Sequence, residues 1–516
     1  MKKPFRRWLA ALMAASLTLA LTACSGNSDS QTASVTGDKM FNVVMTANYS
    51  GFDPLRTNDT VSASVNAQIY ETLYRLEDDG SFTPLLAESL PEYSEDGKTV
   101  TVKLRSGVTF HDGTPFNAQA VINTFECIKD PDFGSTRASL AASIESMEAP
   151  DDSTVVFHLS YPDGVFLAKL AHVNASIVSP TAQQNQDLMV EPCGTGPYKF
   201  VSAVSGSNVV LTRNDSYWGE KAEIKDVTYT VITEESTALS RLETGEADLL
   251  PSVTVENLSR VQAMPNVTLG TGDTAQIYYM VLRPNSSVNP LMANQEFRTA
   301  IAKALDTEGY VNYIMEGHAD HAKSIIGPKI FGYTEEAESS YIGYDPEGAR
   351  KIITENGWEN EPITFLIPTN PTYTPMGEYF ESNLKAAGFN NVKLETMDWA
   401  AWLAESKAEN RFDITLSAWS NVTRDGTELL EPNWESTASS RTKINDPEFD
   451  ALVLESKTTV DEAERIAALE AANKLLMEKA YAVPILNSEQ RFAYNKAYNV
   501  SINSQGIFYL NTFTCN

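Results

Sequence analysis

Residues 418 to 434, AWSNVTRDGTELLEPNW, hold three carboxylates (Asp425, Glu428 and Glu431), a guanidinium at Arg424, and tryptophans at Trp419 and Trp434. Two carboxylates held roughly 5–10 Å apart can act as general acid and base. The chain carries 68 Asp and Glu residues, however, so closeness in sequence among three of them means little. No HExxH, GxSxG or phosphate-cradling glycine loop is present, and surface hydrolysis stands only as an alternative reading. Arg424 offers a planar fork that could grip a ligand carboxylate or could simply neutralise Asp425. Among the five histidines, His318 and His321 are close enough to share a helix face, but Gly317 argues against a helix there and no third ligand converges. No metal and no cofactor are expected. Apart from Cys24, the cysteines Cys127, Cys193 and Cys515 have neither CxxC nor metal-finger spacing; Cys193 and Cys515 could pair, which only geometry can decide.

Strand and helix patterns alternate around this stretch. ITFLIPTN at 363–370 reads as a strand, and Met376, Tyr379, Phe380, Leu384 and Ala387 form the buried side of a helix that Gly388 stops. VKLETMDW is a second strand, AAWLAESKAEN a second helix and RFDITLSAW a third strand. Such a β-α-β-α-β unit predicts a parallel sheet, whose ligands bind beyond the carboxyl ends of the strands. Those ends are Asn370, Trp399 and Trp419, so the loop after Trp419 occupies a ligand-binding position and Trp399 is a second pocket candidate. Elsewhere, KTVTVKL at 98–104 alternates as a half-buried strand does. Val61, Val65, Ile69 and Leu73, and Phe297, Ile301 and Leu305, form helix stripes expected in the core. Thr459 and Glu462 suggest a capping box opening a helix to about Ala480.

The N-terminus predicts location. Lys2, Lys3, Arg6 and Arg7 precede an apolar run from Leu9 to Ala23, which suits a signal peptide over 1–23. LTAC at 21–24 resembles a bacterial lipobox, which makes Cys24 the lipidation site, and the polar stretch up to residue 39 a flexible tether. The expected location is the extracytoplasmic face of the cell membrane. The formal charge of −29 excludes nucleic acid as a natural partner, and 42% hydrophobic residues suffice for a large core.

Six ordered strings resemble the extracellular solute-binding proteins of ABC transporters, family 5, which include peptide and dipeptide receptors. They are KLRSGVTFHDGTPF at 103–116, GTGPYKF at 194–200, TRNDSYWG at 212–219, RLETGEADLL at 241–250, FRTAIAKALD at 297–306 and YDPEGARKIITENGW at 344–358. The resemblance implies an α/β fold of the two-lobed, type II periplasmic-binding class with an extra inserted subdomain and hinge-connected lobes. Lobe I would comprise 40–76, 191–277 and 483–516, the insert 77–190, and lobe II 278–482. Hinge strands would be QIYYMVLR at 276–283 and AYAVPILN at 480–487.

The implied function is capture of a short peptide, by a protein expected to be monomeric, for an ABC permease with its ATPases; a nickel chelate, haem or another small solute is the alternative. The resemblance also implies a ligand loop of Trp419, Ser420, Asn421, Thr423, Arg424 and Asp425, in which Asp425 would hold the ligand's ammonium. Arg424 departs from the family's usual small residue. Asn48 and Tyr49, after the opening strand FNVVMTA, would face the ligand from lobe I, and Arg56 to Asp59 match by position a segment that pairs with peptide backbone.

Overall fold

The computed structural model describes residues 39–516, apart from 409, 410, 440, 443 and 504. The expected signal peptide, Cys24 and the tether as far as Asp38 lie outside the described residues.

The β-α-β-α-β unit forms as its pattern requires. Strands Ile363–Pro368, Val392–Met397 and Ile414–Ser420 are parallel, with Ile363 opposite Val392 and Phe365 opposite Ile414. Helix Tyr373–Ala387 buries Met376, Phe380 and Leu384 on this sheet and ends at Gly388, whose φ of +121° admits no ordinary side chain. Strand Ile414–Ser420 then pairs antiparallel with the long strand Val267–Leu282.

That strand and its partner Ala482–Asn495 carry the sheet from one lobe into the other. They run antiparallel, with a break in register between Asp273 and Ile277. Before the break, Val267–Gly272 lies against Gln490–Asn495, and Leu249–Leu250, Phe41–Met45 and Asp226–Val231 follow outward. After it, Ile277–Val281 lies against Ala482–Asn487. The segments 276–283 and 480–487, expected as hinge strands, therefore cover only one end of each of two longer strands. The polar sequences LGTGD, with its two glycines, and NSEQR hide the remainder, because alternation of apolar residues fails where a strand crosses between two cores.

A separate antiparallel sheet, Glu92–Tyr93, Thr99–Lys103, Thr154–Leu159 and Ile144–Asp151, lies within 77–190, the span expected as the insert. The shared strings prove to be joints between parts of the chain. The His111 N–H donates to the Gly194 carbonyl at 2.9 Å, and Nε2 bonds the Gly196 carbonyl at 2.9 Å. A Cβ at Gly194 would sit 2.2 Å from the Ile69 carbonyl, so the backbones meet only because the residue is glycine. Tyr217 Oη, Trp218 Nε1 and Thr195 Oγ1 donate to the buried Glu71 carboxylate at 2.6, 2.9 and 2.7 Å. Burial raises the Glu71 pKa, and these three donors oppose the rise.

Burial also holds two histidines neutral, His111 down to about 4 and His172 down to about 3. The His172 Nδ1 accepts the Asn174 N–H at 3.0 Å. An unfolded histidine titrates near 6.5, so between that value and the folded one the unfolded chain binds the extra proton. The stability from each is complete above pH 6.5 and declines as pH falls, by up to about 1.4 kcal/mol per pH unit. Buried carboxyls with raised pKa values, such as Glu71, act in the opposite direction. The histidine term is therefore read as a difference: urea unfolding of His172→Asn, whose amide oxygen can accept the same N–H, should depend less steeply on pH between 6.5 and 5 than wild type. Equal slopes would contradict it.

Two local expectations are corrected, and the open question of a Cys193–Cys515 bridge is answered. Helix Glu462–Glu478 is capped by Asp461, which accepts the Glu464 N–H at 3.0 Å, because Thr459 already terminates helix Pro447–Thr458. Leu73 and Leu305 are buried but lie beyond the ends of their helices, Thr60–Ile69 and Gln295–Ala304. Cys127, Cys193 and Cys515 are all free.

Candidate ligand-binding site

The loop after Ser420 is tied together by its own side chains. Asn421 Nδ2 donates to the Asp425 carbonyl at 2.8 Å, and Thr423 Oγ1 donates to Asn421 Oδ1 at 2.9 Å. The turn brings Arg424 to φ +52°, the left-handed region, and then starts helix Gly426–Trp434. Asp425 caps that helix, its Oδ1 accepting the Thr427 N–H at 2.9 Å. Its Oδ2 accepts from Arg465 Nη2 at 2.6 Å, in a pair only 4% and 6% exposed. Arg465 also donates to the Ser456 carbonyl at 2.9 Å and lies over the Phe331 ring.

The expected roles of Asp425 and Arg424 are therefore replaced in this geometry. The Asp425 carboxylate is committed to Arg465 and to the helix, and does not line the cavity described below. Arg424 neither neutralises Asp425 nor reaches that cavity. Its Nε donates to the Lys329 carbonyl at 2.6 Å, and its Nη1 to the Glu77 and Asp78 carbonyls at 3.0 and 3.2 Å. Of the other acids, Glu431 pairs with Lys457 at 2.5 Å, and Glu428, raised by burial, lies in the opposing field of Lys169. Asp425 and Glu431 thus each have a cation of their own, whereas Glu428 has no ion pair among the described residues and Lys169 is bonded to Asp163 at 2.7 Å.

A cavity of about 430 Å³ opens where the sheet changes lobes. Thr46, Thr60, Val61 and Ser64 wall it from lobe I; Val61, expected in the core, faces this space instead. Ser420, Asn421 and Val422 wall it from lobe II, and Thr274, Gln276 and Ser488 to Gln490 form its floor on the two long strands. Gln505 and Phe508 close it from the C-terminal segment. Contacts bridge the cleft around it: Arg424 to Glu77 and Asp78, Gln505 Nε2 to the Val422 carbonyl at 2.9 Å, and the Gly164 N–H to the Lys457 carbonyl at 2.9 Å.

Of the residues expected at the site, Ser420 and Asn421 line this cavity. Trp419 is half-buried against the neighbouring core, and Thr423 is buried within the loop. Asn48 bonds Ser205 and Gly206 in a hairpin turn, and Tyr49 stacks on Phe52 with centroids 4.6 Å apart. Trp399 is 51% exposed and packs beside the buried Trp402, away from the cavity. Strand Val392–Met397 ends two residues earlier than the sequence suggests, at the helix cap Asp398, which leaves Trp399 on a helix. In the 56–59 segment, Arg56 pairs with Asp53 and Asp187, and Asp59 caps the helix whose first turn reaches the cavity. His321 bonds Thr307 and Tyr341.

The model for bacterial extracellular solute-binding proteins, family 5, middle region, matches residues 81–441. The chain belongs to this family. This solute-binding protein is 26% identical over 468 residues to the glutathione-binding protein GsiB of Shigella flexneri, covering 88% of this chain and 90% of GsiB. Its fold is that of the ABC transporter substrate-binding protein CtaP from Listeria monocytogenes, with a TM-score of 0.83, 23% identity, and 93% and 99% of the two chains covered. A dipeptide-binding protein from Pseudoalteromonas sp. SM9913, in complex with Met-Leu, aligns with a TM-score of 0.77 at 23% identity, covering 93% of this chain and all of that one.

Among the lining residues of this solute-binding protein that escape the sequence are five polar ones on the long strands and the C-terminal segment: Thr274, Gln276, Glu489, Gln490 and Gln505. One signal pointed to them. Polar residues interrupt both apolar strands near their register break, and polar side chains in the middle of a buried sheet require either partners or a cavity.

Proposed function

We propose that this chain is the substrate-binding subunit of an ABC importer that takes up a short peptide or peptide-like solute by lobe closure and passes it to a membrane permease. The observation that carries the reading is the cavity of about 430 Å³ walled by both lobes at the sheet's crossing point. Its volume falls within the roughly 300–1,000 Å³ usual for small-ligand sites. Ligand contacts shared between lobes favour the closed state by differential binding. The names of the relatives, glutathione-binding and dipeptide-binding, support a small peptide-like ligand. Ser420 and Asn421 would supply the lobe II contacts. The LTAC sequence supports a lipid anchor at Cys24 on the extracytoplasmic face, and the proposed unit is a monomer with the lobe boundaries given above.

The test is a thermal-shift panel of dipeptides and tripeptides, each with a free and with an amidated C-terminus, and glutathione on the mature chain. A ligand at a hundred times its dissociation constant should add about 2.7 kcal/mol of stability. No shift with any member of the panel overturns the peptide reading.

A further inference from the structure

Among the described residues lining the cavity, one side chain carries a charge: Glu489, half-buried on the long strand Ala482–Asn495. The other ionisable lining group, Tyr229, is raised by burial and stays neutral. No hydrogen bond or ion pair engages the Glu489 carboxylate among the described residues. Its nearby counter-charge is Arg491, which burial holds below the usual arginine range while Glu489 draws it back up. That guanidinium already donates to the His318 carbonyl at 2.7 Å and to the Val253 carbonyl at 3.4 Å.

The amides of the wall are similarly engaged. Gln276 Nε2 donates to Ser420 Oγ at 2.9 Å, Gln490 Nε2 to the Pro251 carbonyl at 3.0 Å, and Gln505 Nε2 to the Val422 carbonyl at 2.9 Å. A ligand carboxylate would meet no lysine or arginine among the described lining residues, only neutral donors: hydroxyls, and amides that already spend one N–H elsewhere. A ligand cation would meet an unbonded carboxylate in a partly desolvated site, where charge-assisted hydrogen bonds are strongest.

We propose that Glu489 sets the chemical class of the ligand: the cavity selects a solute that presents an ammonium or guanidinium group to this carboxylate and has no carboxylate requiring a counter-charge from the wall. The proposal rests on the reading of the chain as a receptor for small peptide-like solutes and narrows it. An amidated or otherwise uncharged C-terminal end fits, whereas glutathione, with two carboxylates to one ammonium, does not.

The test is calorimetry on the mature chain and on Glu489→Gln, with four probes: alanyl-alanine amide, its N-acetyl derivative, glutathione, and agmatine as a cation that is not a peptide. Wild type is expected to bind alanyl-alanine amide at least about tenfold more tightly than the acetylated form, and glutathione least. Glu489→Gln should erase that preference by weakening the cationic probe alone, and should leave the unliganded melting temperature unchanged. If both dipeptide probes bind equally to both proteins, the role of Glu489 is overturned while the peptide reading stands. If agmatine binds through Glu489 and no peptide probe binds, the role of Glu489 stands and the peptide reading falls. No binding of any probe overturns both.

Discussion

Asp425→Asn is expected to lower the free energy of unfolding by about 3–5 kcal/mol, because it leaves the buried Arg465 guanidinium without its counter-charge. The helix cap survives, since asparagine can still accept the Thr427 N–H, so the loss isolates the ion pair from the cap. Arg465→Met should destabilise by a similar amount for the reciprocal reason. The double substitution should be more stable than either single one, since the desolvation of both charges disappears together. Urea midpoints of the four proteins measure this cycle. Ligand affinity, read with whichever panel member binds wild type, should change little in Asp425→Asn, because the carboxylate does not reach the cavity. A loss of affinity at unchanged stability would return Asp425 to the ligand and refute the structural role.

Arg424→Gly should act on the cleft and leave the core intact. The side chain bonds the Glu77 and Asp78 carbonyls across the cleft, and the Lys329 carbonyl beside it. Hydrogen bonds from a charged donor contribute about 1.5–3 kcal/mol each, and loss of about 2 kcal/mol from the closed state alone shifts the open-to-closed ratio roughly 30-fold. Small-angle scattering of the unliganded variant should show a larger radius of gyration than wild type, and ligand affinity should fall by up to about the same factor. Glycine is the informative replacement because φ is +52° here, a conformation that costs other residues about 1–2 kcal/mol. Local strain is thereby relieved while the bridge is removed. Unchanged scattering and unchanged affinity would show that Arg424 does not hold the lobes together.

The two substitutions separate neighbours that look alike in sequence. Arg424 and Asp425 adjoin, carry opposite charges, and invite the reading of a mutual pair or of a zwitterion-binding couple. The left-handed turn at Arg424 sends the two side chains apart, one to the insert and the other to the second-lobe helix Glu462–Glu478.

Much of the architecture is legible in the chain because it rests on local rules. The strands and helices of 363–420 follow from apolar periodicity, and Gly388 ends its helix through a backbone conformation that only glycine adopts freely. The family strings identify a solute-binding protein although none of them supplies the cavity's charge; HDGTPF and GTGPYKF are recognisable because two backbones must touch there. Ser420 and Asn421, at the carboxyl end of a parallel strand, line the cavity. The sequence by itself thus determined the fold class and the family. Only the tertiary structure decided which carboxylate lines the cavity. Arg465, 40 positions away, engages Asp425, whereas Glu489 lies where two strands exchange cores and no described partner bonds its side chain. Charge pairing depends on distance in space, and a chain of 68 acids offers too many equivalent candidates for sequence spacing to choose among them.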